Sequence, residues 1–242
     1  TVTSNTFSIT VQSAGSGPVA GYTAWYDPSD AANVTVSGGT YSQINDKSSN
    51  AFHLTQATAG SQPPQTTINS LNATNHAWNG LFLQTSANLS SIISASAYTA
   101  FFVVKPITPT SNATDFNNNA VWGSSGATAT GLFLNSAGPS FIALNDDGAV
   151  DQATATFTTN TAYVVCTKHE SGNISISING GTFTDVASGN TSTLTVPLFW
   201  GRGVGASPWY QGAIGEALFY NTALTSGNIS TNVTYLRNKW SI

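Results

Sequence analysis

The sequence predicts an all-β, antiparallel sandwich or barrel followed by one C-terminal helix. Two observations carry this. Short apolar or alternating runs recur between Gly, Asn, Asp and Pro clusters with no helical periodicity among them, the pattern of strands joined by turns. Near the end of the chain the period changes, with Ile229, Val233, Leu236 and Trp240 spaced four, three and four apart, as on one face of a helix. The length of 242 residues suits one sandwich-sized domain with a short extension.

Along the chain, Thr6–Val11 reads as strand, and Ser13–Gly21 is a Gly/Ser/Ala/Pro linker. Residues 1–20 are therefore an arm and linker, and 21–242 the domain. Within the domain, strands are expected at Tyr22–Tyr26, Phe52–Gln56, Ala77–Leu83, Tyr98–Val104, Gly131–Leu134, Phe141–Asn145, Tyr163–Thr167, Asn173–Ile178, Leu198–Trp200 and Ala213–Tyr220. The clearest hairpin joins Tyr163–Lys168 to Asn173–Gly180 through a turn at His169-Glu170-Ser171-Gly172. Ile174, Ile176 and Ile178 share one face at period two, and Asn179-Gly180-Gly181 supplies the next turn. Thr225 or Ser226 caps the helix.

Composition narrows the function. Charged residues are 7% of the chain where about a quarter is usual, so Ser, Thr, Asn and Gly supply the polar surface. Six Lys plus Arg and a net charge of −4 exclude the basic face that phosphate neutralisation on nucleic acid needs. No apolar stretch approaches the roughly 18 residues of a membrane-spanning helix. A single Cys excludes an internal disulfide framework.

Three blocks of sequence carry a resemblance. Trp25-Tyr26-Asp27-Pro28-Ser29-Asp30 with Ile44–Ser48 and His53–Gln56 opens it, Tyr98–Pro106 is its central strand, and Gly212–Leu224 with Tyr235–Trp240 closes it. In that order the blocks resemble the concanavalin A-like jelly-roll superfamily, in particular the laminin-G-like domains of bacterial surface and phage virion proteins. The resemblance implies an antiparallel jelly-roll β-sandwich, and an acid in the closing strand, here Glu216, that braces it. It does not select among the binding, enzymatic and structural roles that the fold carries.

No catalytic constellation emerges. Glycoside hydrolysis uses two positioned carboxylates, and the only Glu residues are Glu170 in the hairpin turn and Glu216; the two-Glu strand motif of catalytic relatives is missing. Cys166 lies on a strand with His169 three residues on, in the turn, and strand alternation points residues three apart to opposite faces. His53 and His76 lack ligand spacing. Gly201-Arg202-Gly203-Val204-Gly205 lacks the Lys-Ser/Thr ending of a phosphate loop. The chain is thus expected not to be an enzyme.

Binding chemistry is better represented. Exposed rings stack on sugars while Asn and Asp collect hydroxyls, which makes Trp209, Tyr210, Trp78 and Trp122 the candidate glycan-binding residues. Asp146, Asp147 and Asp151 offer hard oxygens to calcium, the candidate cofactor. In the arm, Phe7, Ile9 and Val11 alternate with polar residues, as a strand would that adds to a neighbouring sheet edge.

Two functions follow as expectations. One is a non-enzymatic virion surface protein, a phage capsid decoration or fibre-like module whose arm docks on neighbouring virion or self subunits and which also adheres to glycans. The other is a secreted or cell-surface lectin-like module, extracellular and binding cell-surface glycans. Both exclude nucleic acid and membrane insertion.

Overall fold

A computed structural model describes residues 17–76, 80–107, 119–123, 130–135, 138–146, 150–189, 194–203 and 209–242. Two antiparallel sheets face each other. The first runs in the order β15 (Thr184–Ala187), β14 (Asn173–Ile178), β13 (Tyr163–Glu170), β8 (Tyr98–Pro106), β17 (Gly212–Tyr220), β6 (Leu71–His76) and β5 (Gln65–Ile68). The free half of β17's second edge takes β1 (Ala24–Tyr26), which pairs with Ala217–Phe219 while β6 pairs with Gly212–Ile214. The second sheet is β12 (Val150–Thr156), β11 (Ser140–Asp146), β10 (Thr130–Asn135), β9 (Ala120–Gly123), β16 (Pro197–Trp200), β7 (Leu83–Asn88), β4 (Leu54–Thr55), β3 (Thr40–Ile44) and β2 (Val34–Ser37). Helix α1 (Ser226–Trp240) follows the strands. The fold is the expected concanavalin A-like sandwich with one C-terminal helix.

Alternation along β8 explains its long apolar run. Ala100, Phe102 and Val104 point into the core between the sheets, whereas Phe101 and Val103 join a second core beneath the helix. A strand covered on both faces reads as continuous apolar sequence. The second core is completed by Val164, Cys166, Leu218 and Tyr220 from the sheet and by Ile229, Val233, Leu236 and Trp240 from α1. Those four helical residues are the ones that the 3.6 period marks. Thr225 is the N-cap, its side chain accepting from the Asn228 N–H at 3.3 Å.

The hairpin departs from expectation at its tip. β13 runs on through His169 and Glu170, Glu170 pairs with Asn173, and the loop is Ser171-Gly172 alone. Both loop residues have positive φ, 53° and 74°, the requirement of a two-residue turn whose twist matches the strands. His169 therefore belongs to the strand, on the face opposite Cys166. It is buried, with Nδ1 3.2 Å from the Ser96 carbonyl and Nε2 2.6 Å from that of Gly189. Cys166 is buried in the helix-side core, and burial pushes its thiol up.

The chain's opening is bound to its close by a buried polar brace. Glu216 is fully buried, and its Oε1 accepts from the Trp25 indole N–H at 2.6 Å and the Tyr235 hydroxyl at 2.8 Å. Oε2 accepts from the Trp240 indole at 3.0 Å and pairs with Lys239 at 2.7 Å. Lys239 also reaches Asp27 at 2.5 Å, and Lys47 joins Asp27 to Asp30 at 3.4 and 2.7 Å. A register shift in β17 between Ile214 and Ala217 turns Glu216 to the helix side. The bracing role implied for Glu216 is what the contacts display.

Candidate functional site

The outer face of the second sheet carries the best-built surface site. In β16, Leu198 and Trp200 enter the core, so Phe199 points outward; in β7, Leu83 enters the core, so Gln84 points outward. Register then lines up side chains across four strands. Gln43 is opposite Thr55, Thr55 opposite Gln84, and Gln84 opposite Phe199. At about 4.8 Å per strand this row spans about 14 Å.

At its Phe199 end the row meets an aromatic cluster built around a cation. The Arg202 guanidinium lies 4.4 Å from the Phe82 ring centre, 4.9 Å from Trp209 and 5.3 Å from Phe199, within the range of cation–π attraction. The Phe82 ring is 6.1 Å from those of both Phe199 and Trp209. An isolated antiparallel bridge joins Arg202 to Trp209, so backbone pairing sets the ring over the cation. The Arg202 Nε donates to the Gly203 carbonyl at 3.1 Å, and burial lowers the guanidinium from its ordinary value. Phe82, Arg202, Trp209 and Gln84 are half-buried, and Thr55 is exposed. Aromatic faces beside amide and hydroxyl groups are what a sugar's apolar face and hydroxyl edge require.

A rigid floor underlies this cluster. His76 is fully buried beneath Gly201, with Nδ1 3.0 Å from the Leu81 carbonyl and Nε2 2.9 Å from the Thr74 hydroxyl. The Trp200 indole N–H donates to the same hydroxyl at 2.9 Å. Burial holds the imidazole down to about 4. A neutral ring with its proton on Nδ1 then donates to Leu81 and accepts from Thr74. Gly201, at φ +81°, lies so close that any Cβ there would strike the His76 ring, so glycine is required directly before Arg202.

The other residues singled out in the sequence fall elsewhere. Tyr210 is buried, its hydroxyl donating to the Ala213 carbonyl at 3.3 Å. Trp122 is also buried, stacked on Phe102 at 5.8 Å. Both belong to the core between the sheets, and neither presents a ring to solvent. Trp78 lies outside the described residues, as do Asp147 and Phe7, Ile9 and Val11 of the arm. Asp146 is the last residue of β11, and half-buried Asp151 on edge strand β12 pairs with Asn145. Among the described residues no three His, Cys, Asp or Glu side chains gather as a metal site.

Phe82, Phe199, Arg202 and Gln84 had no local signal as site residues. Only Trp209, next to a Gly-rich loop, was marked by the sequence. Cross-strand register assembles the rest.

Two facing antiparallel sheets closed by one C-terminal helix define the class as a jelly-roll β-sandwich. The chain belongs to the concanavalin A-like lectin/glucanases superfamily, whose Laminin_G_3 family model matches residues 79–230. No curated protein sequence matches it. Among solved structures, it is similar to a Trypanosoma rangeli sialidase in complex with the inhibitor DANA, with TM-score 0.58, 14% identity, and 90% of this chain against 33% of that one. It is similar to domain 4 of a GH43 extracellular arabinanase from Geobacillus stearothermophilus, in complex with arabinotriose, with TM-score 0.56, 13% identity, and 88% of this chain against 98% of that one. A third is the binding domain of Paraclostridial Mosquitocidal Protein 1, with TM-score 0.62, 12% identity, and 88% of this chain against 52% of that one.

The chain thus spans about a third of the sialidase's length, and at these identities the likeness is one of fold. It nevertheless corrects one expectation. The chain was expected not to be an enzyme because paired carboxylates are missing from its sequence; several of the similar structures are sialidase chains, so that conclusion does not stand. Enzyme activity is not thereby shown.

Proposed function

We propose that this domain binds carbohydrate along the outer face of its second sheet, with a glycan laid over Phe82 and Trp209 and its hydroxyls met by Gln84, Thr55 and Gln43. The observation that carries the reading is the cross-strand row ending in the Arg202-centred aromatic cluster. The arabinanase domain in complex with arabinotriose supports it as a neighbour of like fold. The reading puts the protein outside the cell, where polysaccharides are met. The virion placement depends on the arm, outside the described residues, and no comparison supports it.

A glycan array followed by titration calorimetry tests the reading. Saturable binding in the micromolar to millimolar range is expected, weakened about tenfold or more by Trp209→Ala and by Gln84→Ala. A second arm in EDTA reads the calcium proposal for Asp146, Asp147 and Asp151, which predicts loss of binding there. Absence of binding to every glycan, or binding indifferent to both substitutions, overturns the sheet-face site.

A further inference from the structure

A second polar groove lies on the opposite side of the sandwich, between α1 and the connection from β14 to β15. Its volume is about 350 Å³, at the small end of the range for ligand pockets. The helix packs its apolar face on the first sheet. Its flank then presents Ser226, Ser230, Thr234 and Arg237, spaced four, four and three residues apart, so that one hydroxyl follows another along a single side. The floor is Val233 with buried Ser177, whose hydroxyl donates to the Gly181 carbonyl at 2.6 Å. The far wall is the turn Asn179-Gly180-Gly181 and the half-buried Phe183 ring. Gly180 has φ +79°, and a Cβ there would stand 3.2 Å from Val233 Cγ1, so the missing side chain keeps the turn against the helix.

Among the described residues, Arg237 is the one charged residue lining the groove. Its Nε donates to the Ile242 carbonyl at 3.1 Å, and its terminal amino groups have no hydrogen-bond partner among the described residues. Beside the Phe183 ring, Lys168 stands 5.5 Å from the centroid and is paired with Glu170 at 2.8 Å. Among the described residues no carboxylate lines the cavity, in a chain of net charge −4. A guanidinium recognises a carboxylate by paired hydrogen bonds, hydroxyls recognise hydroxyls, and one ring offers a stacking face.

We infer that this groove is a second binding site, separate from the sheet face, for an acidic sugar residue of the hexuronate kind. The carboxylate is held by Arg237, the ring hydroxyls by Ser230 and Thr234, and the apolar ring face by Phe183. A simple inorganic anion would use the arginine but leave the hydroxyl flank and the aromatic wall idle.

Glucuronate titrated into ¹⁵N-labelled protein, followed by amide chemical shifts, tests this. Saturable shifts confined to 177–183 and 226–237 are expected. Affinity should fall about tenfold or more with Arg237→Gln, with neutral glucose in place of glucuronate, and with the groove-filling Ser230→Phe. Trp209→Ala should leave it unchanged, which separates failure of this site from failure of the sheet-face site. Three results overturn the inference: no saturable shift at tens of millimolar glucuronate, shifts that vanish with Trp209→Ala, or inorganic phosphate binding as tightly as glucuronate with no effect of Ser230→Phe.

Discussion

Replacing Glu216 with Gln isolates what the buried brace contributes, because volume is kept and charge is lost. The carboxylate accepts four groups, two on each oxygen. An amide has one acceptor oxygen. If that oxygen serves Trp25 and Tyr235, the NH₂ faces the Trp240 indole N–H and the Lys239 ammonium, donor against donor. Lys239 retains Asp27 at 2.5 Å, so the uncompensated group is the buried indole, worth about 1–3 kcal/mol. Loss of the charge on the bonds from Trp25 and Tyr235 adds to this, since a hydrogen bond to a charged group is worth about 1.5–3 kcal/mol against about 0.5–1.5 kcal/mol for a neutral one. Glu216→Gln should therefore lose about 3–5 kcal/mol. Urea unfolding monitored by tryptophan fluorescence reads this as a midpoint about 2 M lower at a slope of about 2 kcal/mol/M. Trp240→Phe in the Gln background should cost less than in the wild type, since the orphaned N–H is already a liability. A loss below about 1 kcal/mol for Glu216→Gln would refute the assignment of Glu216 as the brace.

Three other outcomes follow from the same contacts. Gly201→Ala combines a positive φ with a Cβ driven into the His76 ring, and should cost about 3 kcal/mol or more in thermal or urea unfolding; a near-neutral variant would contradict the packing of Gly201 on His76. His76, held down to about 4 when folded and near 6.5 when unfolded, binds its proton more tightly in the unfolded chain. Stability should therefore be whole above about pH 6.5 and decline by up to about 3 kcal/mol as pH falls towards about 4. His76→Gln should flatten that limb, and an unchanged pH profile in the variant would exclude His76 as its cause. Cys166, buried in the helix-side core, should resist a disulfide reagent in the folded protein and react fully in urea; rapid labelling without denaturant would show that this core opens.

The parts of the fold readable from sequence are those where burial imposes a period. Tyr98–Val104 is apolar throughout because both its faces are covered, and α1 shows its four core residues one helical face apart. Strands such as Gln65–Ile68, Leu71–His76 and Val150–Thr156 escaped because Thr, Asn and Gln fill them; their β-branched threonines suit a pleated surface but leave no apolar alternation to detect. The site was legible only in Trp209. Gly201-Arg202-Gly203 reads locally as a loop lacking phosphate-loop features, and nothing in those residues tells that Arg202 meets three rings, one from β16, one from the residue before β7 and one from an isolated bridge. Trp122 and Tyr210 show the converse limit: an aromatic beside polar residues looks the same whether it plugs a core or faces water.

The brace also bears on how the domain comes into being. Trp25 meets Glu216 across 191 positions of sequence, and Asp27 meets Lys239 across 212, so these contacts close nearly the largest loop that the chain permits. Such closures pay their entropy before they are rewarded and slow folding. Until residues 226–240 are synthesised, Phe101, Val103, Leu218 and Tyr220 lack the helix side of their core and Glu216 lacks three of its partners. The segment 79–230, by which the family is recognised, omits Trp25, Asp27, Lys47, Tyr235, Lys239 and Trp240. It is a unit of sequence likeness, whereas the unit of cooperative folding reaches from the first strand to the final helical turn.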